Sequence, residues 1–330
     1  MIQSRDGLIK AIQEEIPIVQ RPFWEIGRRL DIGEDDVIKA IEKLKEDKVI
    51  RQISPIYDTR MLGYDSSLVA FKVKPERIEE VASFINTHPG VSHNYERTHE
   101  FNLWFTIAVP PDVGVGLEDT VRYMAEKVDA LDYKILRTKR VFKIGVKLSY
   151  ESLMEREEVS LKSYDYRPLT EEEKLIVRIT QEDMPLVSRP FREYAKRLNM
   201  KEEDLIEKLL EFKSRGILRR ISAILYHRRV GFTANAMTVW KVKEDMIEEV
   251  GRFLASFKSV SHCYERSGWD YNLFAMIHGK EKEEVKDLVR GISQEIGLKD
   301  YALLFSTREF KKRRISYFSE DFYRWYERMA

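Results

Sequence analysis

Long stretches of this chain are written twice, and that repetition constrains the fold more than any other feature. IPIVQRPFWEIGRRLDI at Ile16–Ile32 returns as MPLVSRPFREYAKRLNM at Met184–Met200, an offset of 168 residues. RQIS at Arg51–Ser54 returns as RRIS at Arg219–Ser222 in the same register, and Gly63 is matched by Gly231. VSHNYER at Val91–Arg97 then returns as VSHCYER at Val260–Arg266, the offset having grown to 169, and Thr138 and Thr307 keep that spacing. Ordered matches through both halves identify a duplication whose unit is a domain pair, too long for a solenoid repeat. A chain of 330 residues also exceeds one ordinary hydrophobic core. The copies should join within Val159–Leu169, where polar residues and Pro168 interrupt the apolar pattern.

Each copy divides again. Helical spacing over residues 5–14, a helix opened by Pro22, and a third helix over Glu34–Asp47 precede an alternating stretch around Val49–Tyr57. This is a winged helix-turn-helix with an expected two-stranded wing, repeated from residue 170 onwards. The rest of each copy follows the order strand, helix, strand, strand, helix, strand, which is ferredoxin-like and leaves one sheet face without helices. The expected class is α+β: a tandem duplication in which the two uncovered sheets meet as an intramolecular pseudo-dimer. The boundaries are a winged helix-turn-helix over 1–60, a ferredoxin-like αβ domain over 61–150, and a linker over 151–169. A second winged helix-turn-helix over 170–228, a second αβ domain over 229–318 and a tail over 319–330 complete the chain.

Composition narrows the function. Hydrophobic residues at 43% and charged residues at 34% suit a folded chain. Lys and Arg total 57 against 56 Asp and Glu, so no basic coat for nucleic acid exists. The single Cys263 excludes an internal disulfide and an all-cysteine metal site. No apolar run approaches the roughly 18 residues of a membrane span, and the N-terminal sequence lacks an apolar signal core. A soluble cytoplasmic protein without a membrane partner is the expectation. The presumed recognition helices argue against DNA. Glu34–Asp47 carries six acidic residues and Lys201–Lys213 five, with acids filling each first turn. Such turns suit the helix dipole and repel phosphates.

The segments SHNYER and SHCYER carry the candidate chemistry. Strand alternation puts His93, Tyr95 and Arg97 on one face, and His262, Tyr264 and Arg266 on the equivalent face. Ser92, Asn94, Glu96 and Ser261, Cys263, Glu265 fall on the opposite faces. An imidazole, a phenol and a guanidinium offer a proton donor, a hydrogen bond and a carboxylate clamp; a polar seam between related sheets is the competing interpretation. His227 lies beside Arg219, Arg220, Arg228 and Arg229, an anion-attracting patch if the residues point inward and a solvated surface if they do not. In the first copy Gln52, Thr59 and Met61 replace Arg220, His227 and Arg229, so chemistry centred in the second half is the economical reading. His88 in THPG, His99 and His278 before Gly279 read more readily as structural residues. Phosphate-loop, zinc-protease and calcium-loop signatures are absent.

RPF at Arg21–Phe23 and Arg189–Phe191, the VSHNYER/VSHCYER pair and LRRISAILYHRRVGFTANAMTVW at Leu218–Trp240 together resemble the siroheme decarboxylases. That family is related in architecture to the Lrp/AsnC transcription regulators, and the resemblance runs through essentially the whole chain, as two subunits fused. It implies loss of two acetate carboxylates from siroheme as carbon dioxide, giving 12,18-didecarboxysiroheme. The expected pathway is heme d1 formation, with heme b formation or a non-enzymatic ligand-sensing regulator as alternatives. Within the resemblance, His227, His262 and His93 are candidate proton donors. Arg97, Arg219, Arg220, Arg228, Arg266, Tyr95 and Tyr264 are candidate substrate contacts. The macrocycle itself takes up electron density, so no cofactor beyond the iron tetrapyrrole is expected, and a histidine is a candidate axial ligand to its iron. The partners expected are siroheme and its products, with a further homo-oligomer left open.

Overall fold

The computed structural model describes residues 2–144, 166–226 and 234–329, the side chains of residues 2–5 excepted. The expected linker lies mostly outside the described residues, as do His227, Arg228, Arg229 and Gly231. The chain forms two compact units, each drawing on both copies. One holds the described residues of 1–64, 164–228 and 316–320; the other holds those of 65–163, 229–315 and 321–330.

The first unit contains α1 (Ile2–Glu14), α2 (Pro22–Leu30), α3 (Glu34–Glu46) and strand β1 (Ile50–Tyr57) from the first copy. The second copy contributes α6 (Glu171–Thr180), α7 (Pro190–Leu198), α8 (Glu202–Ser214) and β7 (Leu218–Leu225). The RPF motif builds the turn between helices. Pro22 and Pro190 sit in the first turns of α2 and α7, where the missing N–H costs nothing, and Phe23 and Phe191 are fully buried. Arg21 and Arg189 then pair with Glu34 and Glu202, the first residues of α3 and α8. Asp31 and Asn199 close α2 and α7 in the left-handed region, at φ 55° and 52°, where short polar side chains are tolerated.

The wing differs from its expectation. Among the described residues neither copy makes its own two-stranded wing; β1 pairs antiparallel with β7, from Ile50 opposite Leu225 to Tyr57 opposite Leu218. Each copy supplies one strand because the sequence between β1 and the next strand turns directly into the αβ domain. The exchange is reciprocal: Ile16 N–H donates to Ile221 O and Met184 N–H to Ile53 O, both at 2.7 Å.

The second unit is one nine-stranded sheet of order β5-β2-β4-β3-β11-β8-β10-β9-β6. Its first-copy strands are β2 (Asp65–Lys72), β3 (Val91–Arg97), β4 (Leu103–Val109), β5 (Asp132–Leu136) and β6 (Thr138–Ile144). Its second-copy strands are β8 (Ala234–Trp240), β9 (Val260–Arg266), β10 (Leu273–Gly279) and β11 (Tyr301–Lys312). Helices α4 (Ile78–Ile85), α5 (Leu117–Lys127), α9 (Ile247–Ser256) and α10 (Lys282–Glu295) complete the two ferredoxin-like layers. The last strand of each copy crosses over. β5 pairs with its own β2 while β6 pairs with β9, and β11 runs from β8 on to β3. Gly251 in α9 is required by this exchange, because a Cβ there would lie 2.4 Å from the Phe142 ring of β6. The face without helices is also shared: Ala70, Trp104 and Leu136 cluster with Met237, Val239, Phe274 and Leu304. The two copies thus form an intramolecular pseudo-dimer, by strand exchange as well as by face packing.

Residues 319–330, expected as a tail, carry helix α11 (Glu320–Glu327). Phe322, Trp325 and Tyr326 are buried, each such aromatic contributing roughly 1.5–3 kcal/mol. They close over His88, whose Nε2 meets the Tyr326 hydroxyl at 3.1 Å and whose Nδ1 accepts the Gly90 N–H at 3.0 Å.

Candidate active site

Strands β3 and β9 carry the two His-Tyr-Arg rows, and the helix-side residues fix which way they face. Asn94 donates to Ala82 O and Asn86 Oδ1 at 3.3 and 2.9 Å, and Cys263 Sγ lies 3.7 Å from Gly251 O, so both point at helices. The rows therefore project from the opposite, helix-free face, where Tyr95 stands across from Trp104 and Tyr264 across from Phe274. Within each row the rings are nearly parallel. His93 and Tyr95 centroids are 6.2 Å apart at 23°, and His262 and Tyr264 are 6.1 Å apart at 23°. The guanidinium follows, Arg97 lying 5.4 Å from the Tyr95 centroid and Arg266 4.6 Å from that of Tyr264.

The arginines are pinned by the exchanged strands. Arg97 Nη1 donates to Leu304 O and Ser306 Oγ at 3.1 and 3.0 Å; Arg266 Nη1 donates to Leu136 O and Thr138 Oγ1 at 3.1 and 2.9 Å. Ser306, not Thr307, is thus the counterpart of Thr138; Thr307 donates instead to Glu96 O at 3.3 Å. The offset is thus back at 168 in the last strands, and the ladder irregularities that follow Thr138 and Ser306 fall at equivalent positions. Both arginines are buried, and the Nε of each has no hydrogen-bond partner. No carboxylate pairs with either among the described residues. Burial brings each guanidinium down to about 10, which leaves it cationic at neutral pH.

The serines depart from strict alternation. Each strand bulges before its histidine: pairing passes from Val91–Ile107 to His93–Thr106, and from Val260–Ile277 to His262–Met276. A bulge re-aims a side chain. Ser92 Oγ therefore reaches His93 Nδ1 at 3.0 Å and Thr106 Oγ1 at 2.7 Å, on the row's own side. Ser261 Oγ meets His262 Nδ1 at 3.0 Å and His278 Nε2 at 2.8 Å. Alternation had put both serines on the opposite face, and a bulge leaves no mark in the apolar pattern.

Two differences separate the rows. Opposite Tyr95 stands Glu309, which accepts from the Tyr95 hydroxyl at 3.3 Å; opposite Tyr264 stands Val141. Two residues beyond the partner of each histidine stand Ala108 in the first copy and His278 in the second. Burial, then the neighbouring His278 and His93, then Arg266 and Lys143, bring the His262 imidazole down to about 4. Burial and Lys312 bring His278 to about 4. Burial and Lys312 also lower His93, with Glu309 opposing them.

The remaining candidates are placed as follows. Arg219, in the first unit, pairs with Asp58 at 2.6 Å; burial opposes ionisation of that carboxyl, but Arg219 and the Met61 N–H hold it below its usual range. Arg220 is exposed on β7 opposite Ile56. His227 and Arg228 lie outside the described residues. His99 accepts the Phe101 N–H at 3.1 Å and lies edge-on to Trp269 at 5.3 Å. Among the described residues, no group of three or more His, Cys, Asp or Glu is placed to hold a metal, and no helix is long and apolar enough to cross a membrane.

Chemically, the second row offers a neutral imidazole, a phenol and an uncompensated buried cation on a partly apolar face, which suits an anionic, flat ligand. Comparison with known proteins agrees. A family model described as an AsnC-like ligand binding domain matches residues 61–143 and 229–311. Another, the siroheme decarboxylase NirDL-like HTH domain, matches 6–51 and 173–219. The chain is 61% identical over 327 residues to a siroheme decarboxylase of Hydrogenobacter thermophilus, covering 98% of each. A siroheme decarboxylase beta subunit of Methanosarcina barkeri is 40% identical over 140 residues, 42% of this chain and 92% of that one. A crystal structure of the siroheme decarboxylase NirDL in co-complex with an iron-uroporphyrin III analogue superposes with a TM-score of 0.84 at 54% identity, covering 99% of this chain and 98% of that one.

Proposed function

The chain belongs to the siroheme decarboxylases, in their fused two-subunit form, and we propose that it removes two acetate carboxylates of siroheme as carbon dioxide to give 12,18-didecarboxysiroheme. The observation that carries the site assignment is the second row: His262 and Tyr264 beside Arg266, a buried guanidinium without a carboxylate partner among the described residues, with Val141 where the first row has Glu309. A buried cation left uncompensated is costly, and an anionic ligand relieves that cost. A carboxylate beside Tyr95 does the reverse for a polyanionic plate.

In this reading Arg266 and Tyr264 hold carboxylates that remain, with Arg97 and Tyr95 as first-half counterparts. Each cycle breaks the bond between the acetate methylene and its carboxylate. The macrocycle takes up the electron pair, and one proton replaces the lost group. His262 delivers that proton, with His93 serving a second station if each half handles one acetate. His227, Arg228, Arg219 and Arg220 are retained as candidate substrate contacts. A carboxylate positioned against apolar surface, away from a guanidinium, loses charge most readily as carbon dioxide. No cofactor beyond the substrate's own iron is needed, and an axial histidine remains part of the proposal. We place the product in heme d1 formation, with heme b formation as the alternative route.

A DNA-binding regulator is disfavoured because Glu34 and Glu202, the first residues of the recognition helices, are held by Arg21 and Arg189 beside further acids. Anaerobic incubation with siroheme followed by mass analysis gives successive losses of two carbon dioxide units. Siroheme that binds and stays intact contradicts the reading.

A further inference from the structure

We propose that Ser261 and His278 form a proton relay that recharges His262, making His278 a positioning and proton-supplying residue confined to the second half of the molecule. The inference rests on the decarboxylase reading and goes beyond it, since neither Ser261 nor His278 belongs to the duplicated His-Tyr-Arg rows.

The geometry is a continuous chain. Ser261 Oγ lies 3.0 Å from His262 Nδ1 and 2.8 Å from His278 Nε2, and the β9 bulge puts the hydroxyl between them. The first copy keeps the serine but not the chain's end. Ser92 bridges His93 to the Thr106 hydroxyl, and Ala108 occupies the strand position of His278. A hydroxyl at the end of such a chain is a far weaker proton source than an imidazole.

The reaction requires a source. Loss of each carboxylate as carbon dioxide leaves its electron pair delocalised from the side-chain carbon into the macrocycle, and one proton is consumed at that carbon. His262 is flanked by His278 on β10, His93 on β3, Arg266 on β9 and Lys143 on β6, and His278 in turn faces Lys312 on β11. Burial, with the charges of Arg266 and Lys143 beside His262 and of Lys312 beside His278, keeps both imidazoles neutral at neutral pH. A neutral imidazole gives up its Nε2 proton readily only if Nδ1 is protonated in the same event. The relay does this. His262 passes its Nε2 proton to carbon, Ser261 passes its hydroxyl proton to His262 Nδ1, and His278 passes its Nε2 proton to Ser261. His278 takes up a proton from solvent at Nδ1 in the same event, so neither imidazole becomes an anion, and both return to their starting tautomers by exchange with solvent before the next loss. The net change is one solvent proton taken up for each carbon dioxide released.

The test uses the full-length protein with siroheme under anaerobic conditions, comparing wild type with Ser261→Ala, Ser261→Thr and His278→Gln. Siroheme affinity is read by absorbance, single-turnover decarboxylation by mass analysis, and the rate is followed against pH. Ser261→Ala and His278→Gln should bind siroheme within about twofold of wild type yet turn over at least about tenfold more slowly, within the roughly 10²–10⁴-fold span of general acid catalysis. Their pH profiles should shift, with activity falling earlier as pH rises, and Ser261→Thr should restore the rate. Wild-type rates and profiles in both variants overturn the relay alone. Slowing matched by lost siroheme binding, with an unchanged profile, assigns the pair a structural role and also overturns it. A wild-type protein that binds siroheme without releasing carbon dioxide overturns the relay together with the function on which it rests.

Discussion

At the scale of single residues, several ionisable side chains are buried without countercharges among the described residues. Arg97 and Arg266 remain charged and are satisfied in part by strand carbonyls, so their full compensation depends on an anion. The histidines instead stay neutral. His88 is fully buried and burial brings it down to about 3, from an ordinary value of 6.5. His262 and His278 come down to about 4. Below about pH 6.5 the unfolded chain takes up protons that the native imidazoles refuse, so stability falls with pH through this window. The loss continues to about pH 4 for His262 and His278 and to about pH 3 for His88. One pKa unit corresponds to about 1.4 kcal/mol, so His88 alone contributes on the order of a few kcal/mol of acid sensitivity. Urea unfolding compared at pH 7 and pH 5 should show a smaller drop in His88→Gln than in wild type. An equal drop in both removes His88 as a source of that sensitivity. The sequence marked His88 only as part of a THPG turn. Its partners Phe322, Trp325 and Tyr326 arrive from a segment more than two hundred positions away, which no local pattern announces.

Among the elements, strand exchange dominates. Among the described residues β6 pairs only with β9, and the far half of β11 supplies the neighbour of β3. Lys143 donates to Phe257 O at 2.8 Å, and Lys311 donates to Asn86 O and His88 O at 2.8 and 3.2 Å, so each exchanged strand also ties down the end of the other copy's helix α9 or α4. A fragment of residues 1–144 leaves β6 and the edge of β3 unpaired, an open template for association. It should run on size-exclusion chromatography as a dimer or larger species; a stable folded monomer contradicts the importance of the exchange. Period-two alternation was sufficient to find most strands and the shared face of each row, because burial of one side forces that period; it read residues 132–144 as one strand, where the structure has β5 and β6 paired with different copies. It could not tell that β1 and β7 pair with each other, since the apolar pattern of a strand does not name its partner. The bulges at Ser92 and Ser261 were hidden for a related reason: one extra residue changes the ladder while leaving the residue types unaltered.

For the whole molecule, duplication has given two scaffolds with unequal chemistry. The sequence displayed part of that inequality in Gln52, Thr59 and Met61, but the residues that distinguish the rows are others. Glu309 beside Tyr95, Val141 beside Tyr264, and His278 beside Ser261 become neighbours only through strand exchange and the sheet register. Both differences favour the second row for a polyanionic substrate that must receive protons. Single-turnover decarboxylation of siroheme by wild type, His262→Ala and His93→Ala, with the one-loss and two-loss products resolved by mass, tests this assignment directly. His262→Ala should be slowed roughly 10²–10⁴-fold in forming the two-loss product, and more severely than His93→Ala. If His93→Ala abolishes both losses while His262→Ala proceeds at the wild-type rate, the second-row assignment is wrong.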